Sequence, residues 1–261
     1  MKVTAIIQAR MTSSRLPGKI LMEVLGKPLL QLMIERVQQA KSIDSVVLAT
    51  TTNKEDDPTV KLGESLGIEV FRGSEDDVLD RFYNAADKFG GEHIMRLTGD
   101  CPLIDPEFLD KLASFYFEGG YDYAANCVDP TLPDGLDAEI ISMESLVETH
   151  QKATRDPHRE HVTLYVRDNA EDFKIGSWKH DTDYSQLRWT VDSREDFELV
   201  KDIIEGVAPE KQNFRMKDII EFLKTHPEIA EINSHIKRNE GLDKSLAEEA
   251  ENEHEKSSDQ G

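Results

Sequence analysis

The amino-acid sequence predicts an α/β fold: a mostly parallel, mixed sheet with helices on both faces. Three observations carry this expectation. Short apolar, partly β-branched runs such as Val3-Thr4-Ala5-Ile6-Ile7 and Ser45-Val46-Val47-Leu48-Ala49-Thr50-Thr51 read as strands buried on both sides. Segments of helical periodicity separate such runs, and β-loop-α-β is the connection that parallel strands require. Pro and acidic or hydroxyl residues stand where the helical patterns begin, as helix starts demand.

The first run, 3–7, ends in polar and Gly/Pro residues and so feeds a loop. A helix follows over 28–40, where Leu29, Leu32, Met33, Val37 and Ala40 form one face and Glu35, Arg36 and Gln38 the polar back. After the strand at 45–51 come a helix at 58–66, a strand at 68–71 and a helix at 78–89 opened by Asp76 and Asp77. The strand at 93–97 runs into Gly99-Asp100-Cys101-Pro102, and a helix at 106–118 follows. Strands are expected at 121–125, 138–141 and 187–191, with helices at 142–154 and at 194–205, the latter capped by Asp192-Ser193. Residues 1–230 then form one domain. Residues 231–261 are expected to be an acidic, disordered tail, since 238–261 carry eight acidic and three basic side chains and little apolar surface to offset ordering.

The 31 Lys and Arg against 52 Asp and Glu leave a net charge of −21, which disfavours a general nucleic-acid-binding surface. No apolar run approaches the ~18 residues of a membrane span. With only Cys101 and Cys127, a disulfide framework is not expected, and a cytoplasmic protein without nucleic-acid or membrane partners is the expectation.

Sheets of this class bind ligands at the carboxyl ends of their strands, so the loops after Ile7, Phe71 and Leu97 are the places to look for chemistry. The first of them, Gln8-Ala9-Arg10-Met11-Thr12-Ser13-Ser14-Arg15-Leu16-Pro17-Gly18-Lys19, sets three cations within ten residues against an acidic background. A triphosphate needs several positive groups and backbone N–H donors, and small residues let the main chain approach its oxygens. The alternative is a solvated basic loop paired with surface acids. No Gly-Lys-Ser/Thr run of the Walker type occurs. Asp100 and Asp192, each just past an apolar strand, suit either a shared divalent cation or helix N-caps.

The run Ile7-Gln8-Ala9-Arg10 through Arg15-Leu16-Pro17-Gly18-Lys19 resembles the signature loop of nucleotidyltransferases that activate acidic sugars with CTP, notably the 3-deoxy-manno-octulosonate and sialic-acid cytidylyltransferases. The resemblance continues through Leu97-Thr98-Gly99-Asp100-Cys101-Pro102, Leu136-Asp137-Ala138-Glu139, His158-Arg159-Glu160-His161-Val162 and Trp189-Thr190-Val191-Asp192-Ser193, and it points to the spore-coat polysaccharide branch of the cytidylyltransferase superfamily. It implies the Rossmann-like nucleotide-diphospho-sugar transferase fold, CTP and a small acidic sugar as substrates, and a homodimer. It implies Arg10, Arg15, Lys19 and Asp100 as catalytic residues, and a nucleotide cradle of Ala9, Arg10, Ser13, Ser14, Arg15, Lys19 and Thr98. Asp100 and Asp192 would hold Mg²⁺, while Arg72, Arg81, Glu139, Arg159 and His161 would meet the second substrate. Where the octulosonate enzymes carry Gln before Gly-Asp, this chain has Thr98.

Two alternatives accompany that reading. A glycosyltransferase of the related fold would need an Asp-x-Asp metal motif, for which Asp181-Thr182-Asp183 is the candidate. A non-catalytic nucleotide-binding subunit would not need the Asp100 and Asp192 pair. His158 and His161 are three apart and suit a metal only with a further ligand; packing or capping is the simpler role. Asp134-Gly135 reads as a turn, and Trp178 and Trp189 as core.

Overall fold

The computed structural model describes residues 3–238 together with 247 and 249. In chain order the strands are β1 (Val3–Gln8), β2 (Glu23–Val24), β3 (Lys27–Pro28), β4 (Ile43–Thr51), β5 (Glu69–Gly73), β6 (His93–Thr98), β7 (Tyr123–Ala125), β8 (Glu139–Ser142) and β9 (Ile175–Ser177). The helices are α1 (Leu29–Val37), α2 (Asp57–Ser65), α3 (Val78–Phe89), α4 (Pro106–Gly119), α5 (Met143–Lys152), α6 (Asp156–Glu160), α7 (Leu164–Asp168), α8 (Arg194–Val207), α9 (Met216–Thr225) and α10 (Pro227–Glu231).

Seven strands form one sheet in the order β5-β4-β1-β6-β8-β7-β9, with β2 and β3 a separate hairpin. β5, β4, β1 and β6 are mutually parallel, and β8 runs antiparallel to both β6 and β7. The sheet is therefore mixed and mostly parallel, as the alternation of strands and helices predicts. The period of two along β1 sorts its side chains: Val3, Ala5 and Ile7 join the core under α1 and α4, whereas Ile6 joins the core under α3 and α5. Gln8 points to the α3 side as well, toward the hollow described below. A third apolar cluster joins α8 and α9 to Val24 of β2, Leu29 of α1, Phe108 of α4 and Trp189. No helix among the described residues is long and apolar enough to cross a membrane.

Three expectations change. The segment 187–191 alternates as a strand would, and Trp189 and Val191 are buried, yet it forms only a single bridge, between Arg188 and Asp134. Its backbone is divided between two loops: the Trp189 N–H donates to Asp134 and the Val191 N–H to Asp100. Arg36 does not lie on a polar back. It is buried, donates to the carbonyls of Ile104 and Phe214, and stacks on the Phe214 ring. The tail begins later than 231: Asn233 is buried and bonded to Arg188 and Asp196, Arg238 donates to the Leu132 carbonyl, and Glu249 pairs with Arg155. The rest of the predicted disordered tail, 239–246, 248 and 250–261, lies outside the described residues.

Candidate active site

The carboxyl ends of β1 and β6 open onto a hollow of about 250 Å³. Their approach is close, because the Gly99 N–H donates to the Gln8 carbonyl at 2.8 Å and a Cβ on Gly99 would stand 2.7 Å from that of Ala9. The loop after β1 is closed by a bond from the Gly18 N–H to the Met11 carbonyl. Gly18, at φ 73°, adopts the left-handed conformation that glycine tolerates, and so turns the chain to place Lys19 at the hollow's rim. Two acids outside the loop fix it: buried Asp56 accepts from the Met11 N–H at 2.7 Å, and Glu75 accepts from the Thr12 hydroxyl and from Arg10.

Lys19 is 7% exposed, and its ammonium lies 2.8 Å from Asp100 Oδ2 and 2.7 Å from Asp192 Oδ1. Arg15 reaches the same Asp192 oxygen at 2.9 Å. Burial disfavours charge on Asp100, but the Lys19 ammonium outweighs it and holds the carboxyl down to about 2. Against its own desolvation, the two carboxylates likewise raise Lys19 above its ordinary value. Neither aspartate is a helix cap. Asp105 caps α4 and Ser193 caps α8, which leaves Asp100 and Asp192 facing the hollow. Two carboxylates already sharing one cation are hard oxygen donors of the kind that Mg²⁺ would take. No group of three or more His, Cys, Asp or Glu suited to a metal occurs among the described residues.

Ala9, Arg10, Ser13, Ser14, Arg15 and Lys19 all line the hollow, as does Thr98. Deeper in, Arg81 is 3% exposed, and its Nη1 donates to the carbonyls of Ser74 and Glu75. Its Nε has no hydrogen-bond partner. Desolvation and the nearby Arg10 bring its pKa down to about 10. His161 also lines the hollow, having left α6 as its C-cap, and burial lowers its pKa. Its expected companion His158 is turned away, buried against Asp168 and Tyr165. That division suits packing rather than a shared metal.

Three expected substrate residues stand outside the hollow. Arg72 spends its donors on the Thr51 and Asn53 carbonyls and on Asp57, so it clamps the β4–α2 connection. Glu139 sits behind the hollow in a buried cluster with Arg96, Tyr123 and Thr163. There Arg96 and Arg167 outweigh burial and hold its carboxyl at about 2. Arg159 pairs with Asp77 at 2.6 Å and lines an adjoining cleft of about 480 Å³ with Arg10 and Glu75. Asp181 and Asp183 are exposed and line no part of the hollow.

The structure adds Gln8, Val78, Arg96 and Glu160 to the lining. Arg96 Nε donates to Gln8 Oε1 at 3.0 Å. Arg96 and Thr98 share a strand face because they are two apart, a signal present in the sequence. Glu160 and Val78 carry none, because only tertiary packing brings α3 and α6 to the strand ends.

A family model described as Cytidylyltransferase matches residues 4–239. The spore coat polysaccharide biosynthesis protein SpsF of Bacillus subtilis is 34% identical over 86% of this chain and 95% of its own length. The structure of a cytidylyltransferase from Leptospira borgpetersenii superposes with a TM-score of 0.83 at 37% identity, covering 88% of this chain and 97% of that one. A more distant structure, CMP:2-keto-3-deoxy-manno-octonic acid synthetase complexed with CTP, shares the fold at a TM-score of 0.63 and 18% identity, over 78% of this chain and 99% of its own.

Proposed function

The chain belongs to the cytidylyltransferase family, in the branch that includes SpsF, and from that premise we propose that it transfers CMP from CTP to an acidic sugar for polysaccharide biosynthesis. A sugar hydroxyl oxygen bonds to the α-phosphorus, the bond from that phosphorus to the bridging oxygen of the β-phosphate breaks, and pyrophosphate leaves with loss of the hydroxyl proton. The protein's work is positioning and charge neutralisation. The observation that carries the proposal is the Lys19 ammonium held between Asp100 and Asp192 beside the Arg10 and Arg15 loop.

Arg10, Arg15 and Lys19 supply the positive charge for the phosphates, and the Ser13-Ser14 stretch admits the oxygens to the backbone. Asp100 and Asp192 are the residues that would hold Mg²⁺, which when bound neutralises charge developing on the phosphate oxygens. Arg81, expected at the second substrate, lines the hollow with its guanidinium held only by carbonyls, and its charge supports the nucleotide end of the reading. Thr98 stays with the nucleotide cradle, and the wall of Arg96 and His161 is left for the sugar and its carboxylate.

The test is pyrophosphate release with each of the four ribonucleoside triphosphates, Mg²⁺ and a panel of keto-acid sugars. Release confined to CTP and dependent on a keto-acid sugar is expected. Failure to release pyrophosphate with any pair, or equal release with every base, would defeat the proposal.

A further inference from the structure

Asp192 presents its two carboxylate oxygens to different surroundings. Oδ1 faces the hollow, where Lys19 and Arg15 reach it. Oδ2 faces the interior and accepts from Arg188 Nη2 at 2.8 Å. Arg188 is 7% exposed and does not line the hollow, so it is placed to act on substrate only through another residue. Its guanidinium is shared among three aspartates: Nη1 donates to Asp134 at 2.7 Å, and Nε and Nη2 donate to the two oxygens of Asp196 at 3.0 and 3.1 Å. Asp196, fully buried, also accepts from the Asp192 and Ser193 N–H groups. The side chain of Asp192 and the backbone that carries it are thereby fixed by one buried network.

The network does not close within the loop. Asn233, 1% exposed, donates from Nδ2 to the Arg188 carbonyl at 3.0 Å and to Asp196 Oδ1 at 2.7 Å. The segment that carries Asn233 is tied down again at Arg238, which donates to the Leu132 carbonyl and pairs with Asp137. A planar guanidinium that meets three carboxylates has one orientation in which all its bonds form, and Asn233 fixes the backbone from which it projects.

We propose that Arg188 is a positioning residue for Asp192, held in place by Asn233 of the C-terminal segment, and that this wiring sets the affinity of the Asp100–Asp192 pair for a divalent cation. The inference rests on the function proposed above. It makes the 231–238 segment part of the active site's support rather than a tail. A rival role is purely structural: Arg188 would neutralise buried Asp134 and Asp196 and have no bearing on the cation.

The two roles separate in the full-length chain. Mn²⁺ binding is measured by electron paramagnetic resonance in the presence of CTP and without sugar, alongside CTP binding in EDTA and thermal unfolding. Arg188→Lys keeps the charge and loses the fork. Asn233→Ala leaves Arg188 intact and removes its anchor, so it serves should Arg188→Lys not fold. Each is expected to weaken Mn²⁺ binding about ten- to a hundredfold, as loss of partners behind metal ligands does elsewhere. Each should raise the Mg²⁺ needed for half-maximal turnover in step and leave CTP affinity in EDTA unchanged. Variants that melt earlier but bind Mn²⁺ as the unmodified chain does would overturn the inference. An unmodified chain that binds no Mn²⁺ with CTP would overturn the proposed metal site and this inference with it.

Discussion

Replacing Lys19 with Met keeps an apolar stem of similar length and deletes the charge between Asp100 and Asp192. The loss does not fall equally on the two acids. Asp192 retains Arg15 and Arg188, whereas Lys19 is the one ion-pair partner of Asp100 among the described residues. Removing one member of a buried pair costs about 3–5 kcal/mol, and the cations that Asp192 retains favour the lower end. At ~2–4 °C per kcal/mol for a chain of this size, the melting temperature should fall by on the order of 10 °C. Asp100 in the native chain is held at about 2, below its unfolded value, so its contribution is present above an unfolded pKa of ~4 and is lost as pH falls toward 2. The gap between Lys19→Met and the unmodified chain should therefore be widest near neutrality and narrow as the solution is acidified below ~pH 4. Millimolar MgCl₂ should raise the variant's melting temperature more than that of the unmodified chain, because the cation then meets an uncompensated Asp100 without displacing an ammonium. Scanning fluorimetry across pH, with and without MgCl₂, measures all three. A variant that melts with the unmodified chain at neutral pH, or that ignores MgCl₂, would refute the claim that Lys19 holds the two acids together.

Arg15→Met should lower turnover with CTP by about 10²–10³-fold while moving the melting temperature little, since an exposed ion pair is worth only ~0–1 kcal/mol. Arg72→Met should do the reverse, lowering the melting temperature through three lost hydrogen bonds at ~1 kcal/mol each and leaving both Michaelis constants unchanged; a raised constant would return Arg72 to the substrate site. Arg81→Lys should weaken CTP binding by about 10–100-fold in calorimetry, the cost of losing a charged donor to a buried acceptor, and unaltered affinity would separate Arg81 from the nucleotide. Burial, only partly opposed by Arg238 and reinforced by Asp134, Glu139 and Asp100, pushes Asp137 up to about 7. The native chain then holds a proton that the unfolded chain releases near pH ~4, so stability should decline as pH rises from ~4 to 7. Asp137→Asn should flatten that decline in urea unfolding measured across the same range.

The elements legible in the sequence were those whose pattern is set locally. β1, β4, α1 and α3 declare themselves through apolar periodicity, and the Arg10–Lys19 loop through charge on an acidic background. The segment 187–191 misled because 188–191 are all buried, yet by packing with α8 and two loops rather than in a strand ladder. Arg36 and Arg72 misled for a related reason. A cation in a sequence reads as surface or substrate, yet both are consumed by backbone carbonyls whose positions depend on tertiary structure. The role of 231–238 was illegible because it rests on Asn233, one of several polar residues in a short segment, meeting Arg188 forty-five positions away. Asp100 and Asp192 were individually ambiguous between metal and cap, and the structure removes the cap role by placing Asp105 and Ser193 at the caps.

A chain of net charge −21 can hold a polyanion because its site exchanges partners instead of offering bare charge. Arg10 faces Glu75, Arg15 and Lys19 face Asp192 and Asp100, and Arg96 faces Glu139. Each cation is oriented by a carboxylate fixed from behind: Glu75 by Asn53, Asp192 by Arg188, Glu139 by Tyr123 and Thr163. A phosphate entering the loop replaces one anionic partner with another, so the electrostatic gain per contact is small and the geometry of the fixed acids decides which anions fit. Arg81 departs from this pattern. No carboxylate among the described residues lies within ion-pair distance of it, and only carbonyls hold it. Arg81 thus meets the hollow with no carboxylate of the described residues in ion-pair contact, close to Arg10 of the first loop. Changes at Arg81 should accordingly act on nucleotide binding, and changes at Arg15 and Lys19 on turnover.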